Sequence, residues 1–121
     1  MQEINLRNYA YLGDAVWELH IREITIQKTN NAKKLHQITT SMVKTQFQCE
    51  LLQFLEKYLN EDEQELSKRA RNLPIPVGRR SIQSEYRQAT AFEALIGWWY
   101  TNNRERYLYM LSLLDYKLYF E

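Results

Sequence analysis

A chain of 121 residues that is 45% hydrophobic has the length of one domain and enough apolar material for its own core. Three glycines and two prolines argue against a turn-rich β protein, one cysteine excludes a disulfide framework or a cysteine-based zinc site, and no apolar run approaches the ~20 residues that span a bilayer. A formal net charge of +1 excludes a general attraction to nucleic acid, so any basic surface must be local. The amino terminus has no signal or transit pattern, which predicts work in the compartment of synthesis, a reducing one. His20 and His36 are too few for a histidine metal site and read as helix-surface residues.

The spacing predicts a first helix over 4–27, with Leu12, Val16, Leu19 and Ile26 recurring at helical intervals beside Ala15. Asp14 stands alone in its apolar centre, and Asp14 and Glu18, four apart, share a face. Asn30 and Asn31 break the pattern. A short helix follows over 32–39, with Leu35 and Ile38 inward. Ser41 is the expected cap of a third helix over 42–58, whose stripe is Val43, Phe47, Leu51, Phe54, Leu55 and Tyr58. Asn60 with Glu63 three residues on predicts a capping box and a short helix to Arg71. Its acids (Glu61, Asp62, Glu63, Glu65) precede its bases (Lys68, Arg69, Arg71), as the helix dipole favours.

Residues 72–82 hold Pro74, Pro76 and Gly78 and read as the one long loop. Ser81 or Ser84 is the expected cap of a fifth helix to Tyr100. Asn102 and Asn103 break the chain before a last amphipathic helix over 105–119, with Leu108, Leu111, Leu114 and Leu118 on one side. No β alternation, repeat or low-complexity tract interrupts this series. The prediction is an all-α bundle forming one domain over 1–121, with nothing left over for a second module.

Two features carry chemistry. Asp14 (in Tyr9–Glu18) and Glu93 (in Ala89–Tyr100) are lone carboxylates in apolar helical runs, each near a glycine that permits close helix approach, Gly13 and Gly97. A charge buried without compensation costs several kcal/mol. A shared cation is one solution, and Mg²⁺, which binds through one or two carboxylates and keeps waters for a phosphate, is the natural choice. Asp14 reads equally as an N-cap after Gly13, and Glu93 as an exposed group or the partner of an arginine. The second feature is charge: between positions 68 and 87 six cations (Lys68, Arg69, Arg71, Arg79, Arg80, Arg87) face one anion, Glu85. This segment is the candidate phosphate contact, the alternative being a solvated basic loop.

The segments Leu12-Gly13-Asp14-Ala15-Val16 and Phe92-Glu93-Ala94-Leu95-Ile96-Gly97 resemble the two acidic motifs of the ribonuclease III family. Ala10–Glu18, Leu35-His36, Arg69-Ala70-Arg71-Asn72 and Tyr86–Gly97 together are similar to its short branch, Mini-ribonuclease III, which lacks the double-stranded RNA-binding domain. The resemblance spans nearly the whole chain and implies a ribonuclease III-type helical bundle that works as a homodimer. It implies a Mg²⁺-dependent endonuclease on double-stranded RNA, with precursor large-subunit ribosomal RNA the typical target, in a bacterial cytoplasm or a plastid stroma. Asp14 and Glu93 take the catalytic, metal-holding positions. Metal-activated water then attacks the phosphodiester, and the cation stabilises the leaving oxygen. Tyr11 takes the aromatic position that clasps the dimer partner. Lys44, Arg69, Arg71, Asn72, Arg79, Arg80 and Arg87 are the expected RNA contacts. Ala10 and Thr90 replace acids of full-length ribonuclease III, as in the short branch, leaving water or the Thr90 hydroxyl to complete the site. Gln46 stands where that branch tends to carry lysine, with Lys44 near enough to substitute. The alternatives are a non-catalytic RNA-binding or ribosome-associated domain on the same fold, or a helical protein-interaction module.

Overall fold

Asparagine punctuates this chain. The computed structural model describes residues 5–75 and 83–114, and four of its helices begin at an Asn whose side-chain oxygen accepts a free first-turn amide. Asn5 opens α1 (Leu6–Thr25), Asn31 opens α2 (Ala32–Met42), Asn60 opens α4 (Glu61–Arg71) and Asn103 opens α6 (Arg104–Ser112). Each such cap stabilises its helix by ~1 kcal/mol. α3 (Thr45–Leu55) runs into a 3-10 turn, Glu56–Tyr58, and α5 spans Gln83–Asn102. No strand occurs among the described residues, so the fold is all-α, as the sequence predicts.

The long helices α1 and α5 pack against each other more extensively than any other pair, and α3 and α4 lie against α5. The α1–α5 crossing is close because both helices present glycine to it. A Cβ on Gly13 would drive into the carbonyl oxygen of Glu93, and one on Gly97 into that of Tyr9. Around this crossing the core is filled by Trp17, Ile21, Leu52, Leu55, Phe92, Leu95, Ile96, Trp99 and Met110, all essentially fully buried. Trp17 meets Phe92 edge-on at 5.0 Å between ring centroids, and its indole Nε1 donates to the Met42 carbonyl at 2.8 Å, tying α2 to α1.

The capping box at Asn60 and Glu63 forms with both hydrogen bonds at 2.9 Å. Glu63 also goes further than a cap. Its buried carboxylate accepts from Trp99 Nε1 at 2.7 Å and from Arg106 Nε and Nη2 at 2.9 and 2.8 Å, joining α4, α5 and α6. Burial pushes its pKa up, but the hydrogen bonds from Arg106, the Asn60 amide and Trp99, with the Arg106 charge, outweigh this and hold it below 4.5.

Several boundaries and faces differ from the sequence reading. Ser41 does not cap the third helix. It lies inside α2, where its hydroxyl donates to the Gln37 carbonyl, and Lys44 is the N-cap residue of α3. Phe54 is largely exposed rather than in the stripe. Ser84 falls within the first turn of α5, while Ser81 and Leu118 lie outside the described residues. The main revision concerns α1. Its buried face is Leu6, Ala10, Gly13, Val16, Trp17, Ile21 and Thr25, whereas Leu12, Leu19 and Ile26 are exposed, as is Leu108 on α6. The cause is that α1 is apolar on two faces, so periodicity alone does not choose. The small residues Ala10 and Gly13 face α5 because only they allow the helices to touch.

Candidate active site

Three helices meet at one polar point in this core. Asp14 stands in the middle of α1, which rules out an N-cap role, and is solvent-exposed. Glu93, in the middle of α5, is only partly exposed, and its carboxyl is hydrogen-bonded to that of Asp14. Gln48 of α3 supplies a third side chain, buried at 3% exposure and near enough to Glu93 to lower the pKa of its carboxyl. The glycine crossing sets this geometry: Gly13 immediately precedes Asp14 and seats on the backbone of Glu93. Trp17 and Phe92, adjacent on the same two helices, form the apolar floor.

Burial first, then the hydrogen bond and the negative charge of Asp14, push the Glu93 pKa up to about 8, and Gln48 acts the other way. At neutral pH Glu93 therefore holds its proton, because burial and the nearby Asp14 disfavour its ionised form. A divalent cation can replace that proton. The donor set fits a hard cation: two carboxylates with one open side, at Asp14, toward solvent. Among the described residues no cluster of three or more His, Cys, Asp or Glu side chains exists, so a cation here would have two carboxylates and fill the rest of its shell with water.

The other expected site residues divide into groups. Glu18, on the same helix face as Asp14, pairs with Arg22 at 3.2 Å instead. Thr90, one turn before Glu93, donates its hydroxyl to the Tyr86 carbonyl at 2.9 Å, which leaves its oxygen lone pairs as acceptors. Ala10, where the longer family members carry an acid, is buried in the bundle. Lys44 is exposed one turn before Gln48. Arg69 and Asn72 are exposed at the end of α4. Arg71 bonds Ser67 Oγ at 3.0 Å and lies 3.9 Å from Glu56, so its partner is not among the acids at 61–65. Arg87 turns to the protein, donating to the Arg71 carbonyl at 2.6 Å and, more weakly, to that of Leu73 at 3.4 Å, where it closes the end of α4. Arg79 and Arg80 lie outside the described residues. Tyr11 does not enter its own core: it is 84% exposed.

Gln48 is the site residue that sequence reasoning missed. The signal was present: it stands four residues before Leu52 and beside Phe47 and Leu51, so it is a polar side chain on the inward face of α3. Cys49 hydrogen-bonds Gln88 of α5 at 3.2 Å, and burial raises its thiol pKa, which removes it as a nucleophile.

Comparison with known proteins identifies the family of the fold. The ribonuclease III domain family model matches residues 7–104. Mini-ribonuclease 3 of Gloeobacter violaceus is 37% identical over 95% of this chain and 85% of its own length. Mini-ribonuclease 3 of Clostridium tetani is 38% identical over 100% of this chain and 82% of its own. A crystal structure of a Fusobacterium nucleatum protein superposes with a TM-score of 0.82 at 30% identity, covering 93% of both chains. A carboxylate pair held by a glycine crossing, within a chain matched end to end, has one reading: the protein belongs to the ribonuclease III family, on its Mini-ribonuclease 3 branch, and is an endoribonuclease.

Proposed function

We propose that the protein is a Mg²⁺-dependent, homodimeric endonuclease of double-stranded RNA acting in maturation of precursor large-subunit ribosomal RNA. The observation that carries the metal dependence is the contact between Asp14 and Glu93, two carboxyls brought together beside the glycine crossing of α1 and α5. Mg²⁺ held by these two side chains would supply Lewis-acid stabilisation of a phosphoryl oxygen and a more acidic water. The chain's own part is to bind and orient. Asp14, on the open side, would face the incoming phosphate, while Glu93 is set deeper by the α1–α5 crossing. The Trp17–Phe92 floor keeps water from that side.

The homodimer is supported by the unpartnered apolar face of α1 and α6. Tyr11, Leu12, Leu19 and Leu108 are all exposed, and Leu19 and Leu108 line one open groove, apolar surface of the kind a partner covers. Tyr11 is one turn from Asp14, so a partner covering it would lie beside the active site and set two such sites along one duplex. RNA contacts fall to the exposed cations Lys44 and Arg69, together with Arg79 and Arg80, which lie outside the described residues. The narrow major groove of RNA leaves phosphates, 2′-hydroxyls and shape as the features to grip. Among the described residues no helix is long and apolar enough to cross a membrane. The test is incubation of purified protein with double-stranded and single-stranded RNA of one sequence, with Mg²⁺ or with chelator. Cleavage of the duplex alone, in Mg²⁺ alone, is expected. Intact duplex in Mg²⁺ would remove the proposal and favour an RNA-binding domain on this fold.

A further inference from the structure

Arg7 of α1, Arg71 of α4 and Arg87 of α5 line one crevice where these helices meet, together with Thr90, which stands one turn before Glu93. Among the described residues that lining includes no carboxylate. Two of the three arginines are committed to the protein. Arg71 bonds Ser67 Oγ and lies 3.9 Å from Glu56, and the Arg87 guanidinium donates to the carbonyls of Arg71 and Leu73. Arg7 is different. It is exposed, and it donates from Nη2 to the Pro74 carbonyl at 3.0 Å. Among the described residues its other N–H groups meet no acceptor, and no carboxylate pairs with it. We infer that Arg7 is an RNA-contacting residue, which holds a backbone phosphate of the duplex close to the one cut at Asp14 and Glu93.

Placement is the argument. Arg7 stands two helical turns before Asp14, so both side chains leave one side of α1, about 10 Å apart along its axis. A strand that offers one phosphate to the carboxyl pair can therefore offer a neighbouring one to Arg7. The positions one turn on from Arg7, where an acid would pair with it, are Ala10 and Tyr11, so α1 leaves the charge free. The Pro74 carbonyl steadies the guanidinium through one nitrogen. The rest of its planar fork remains for the paired oxygens of a phosphate. Arg71 and Arg87 add their charge to the same crevice. That makes a local positive field in a chain whose net charge of +1 supplies no general one. An anion seated over the crevice relieves the repulsion among the three cations.

This inference rests on the proposed cleavage of double-stranded RNA, and the test separates the two. Wild type, Arg7→Met and Arg7→Lys are compared in binding a short RNA duplex in chelator, in cutting it with Mg²⁺, and in thermal melts. Methionine keeps an unbranched stem without charge, and lysine keeps the charge without the fork. Because Arg7 is exposed, both variants should fold. Arg7→Met is expected to bind the duplex roughly tenfold more weakly, with a salt slope smaller by roughly one ion. Its KM should rise in step, while the rate at saturating RNA stays near that of wild type. Arg7→Lys should keep the salt slope and lose less affinity. A second arm finds the phosphate. Neutral methylphosphonates replace, one at a time, the phosphates flanking the cut. At one position the replacement should weaken wild type about as much as Arg7→Met does, and should not weaken Arg7→Met further. A residue that only anchors the end of α4 through Pro74 would lower the melting temperature and show no such position. Wild type that neither binds nor cuts the duplex overturns the RNA reading itself. Wild type that binds and cuts, with no methylphosphonate position coupled to Arg7 or with an unchanged KM and salt slope in Arg7→Met, overturns the role of Arg7 alone.

Discussion

Gly97→Ala is the smallest change that should disturb both fold and chemistry. A Cβ at this position would overlap the Tyr9 carbonyl oxygen, with the Tyr9 carbonyl carbon at 2.9 Å and Gly13 N at 3.0 Å. All three are backbone atoms of α1, so no side chain can rotate away. Carbon contacts relax only near ~3.5 Å, so α1 and α5 must part by roughly 1 Å along the largest interface in the molecule. Overpacking of this sort costs ~1–3 kcal/mol, and an unyielding backbone places Gly97 at the upper end. Alanine's better helix propensity offsets ~1 kcal/mol of that, leaving a net loss of about 2 kcal/mol. At ~4 °C per kcal/mol for a domain of this size, the melting temperature should fall by ~8 °C. Because Gly13 and Asp14 ride on α1 and Glu93 on α5, the same displacement separates the two carboxyls. A misplacement of ~1 Å can cost ~100-fold in rate. Differential scanning calorimetry of the metal-free protein and a Mg²⁺-dependent RNA cleavage assay measure the two effects. A variant that melts higher than wild type, by its propensity gain alone, and cuts at the normal rate would refute the close-crossing argument.

Tyr11→Arg should yield a monomer that no longer cuts both strands, since the ring is 84% exposed and contributes little to its own core; wild-type sedimentation as a monomer at micromolar concentration would contradict this. Arg79→Ala with Arg80→Ala should raise the RNA concentration for half-maximal rate and lower the salt slope by roughly one ion for each phosphate no longer held, with little effect at saturating RNA; an unchanged slope removes the loop from the binding surface. Glu63 predicts an acid limb of stability. Its folded pKa lies below 4.5, so its contribution is complete above the unfolded value and is lost as pH falls through the folded one. Arg106→Met, which leaves this buried carboxylate without its cation, should cost ~3–5 kcal/mol at neutral pH, and far less at a pH low enough to protonate Glu63; equal losses at both pH values would show that packing, not charge, is at stake.

The helices were legible in the sequence because their signals are local. Asn60 with Glu63 predicts its capping box from four residues, and the acidic motifs place Asp14 and Glu93 in mid-helix. The shared carboxyl site was legible from two lone acids, each near a glycine, since both glycines are required by the same crossing. What escaped was what depends on a partner. The inward face of α1 was misread because Leu12, Leu19 and Ile26 are as apolar as the true core residues. Only the need of α5 for a thin neighbour selects Ala10 and Gly13. Gln48 escaped because a polar residue on a helix is ordinarily read as solvent-facing, and Glu93, whose pKa it lowers, lies 45 positions away on another helix. In the basic stretch at 68–87, charge counts on a sequence do not reveal that Arg87 closes a helix end or that Arg71 bonds Ser67.

The central claim is that Asp14 and Glu93 together hold the catalytic cation, and Glu93→Gln tests it with the least structural damage. At neutral pH the metal-free Glu93 is protonated, its pKa being about 8, and glutamine is close to that form in shape and charge. The variant should therefore melt at or slightly above the wild-type temperature without metal. The measurement is cleavage of double-stranded RNA across a Mg²⁺ titration by wild type, Glu93→Gln and Asp14→Asn. The account predicts that both variants remain folded, still bind the RNA and cut none of it at any Mg²⁺ concentration. Near-normal Mg²⁺-dependent cleavage by both would contradict it.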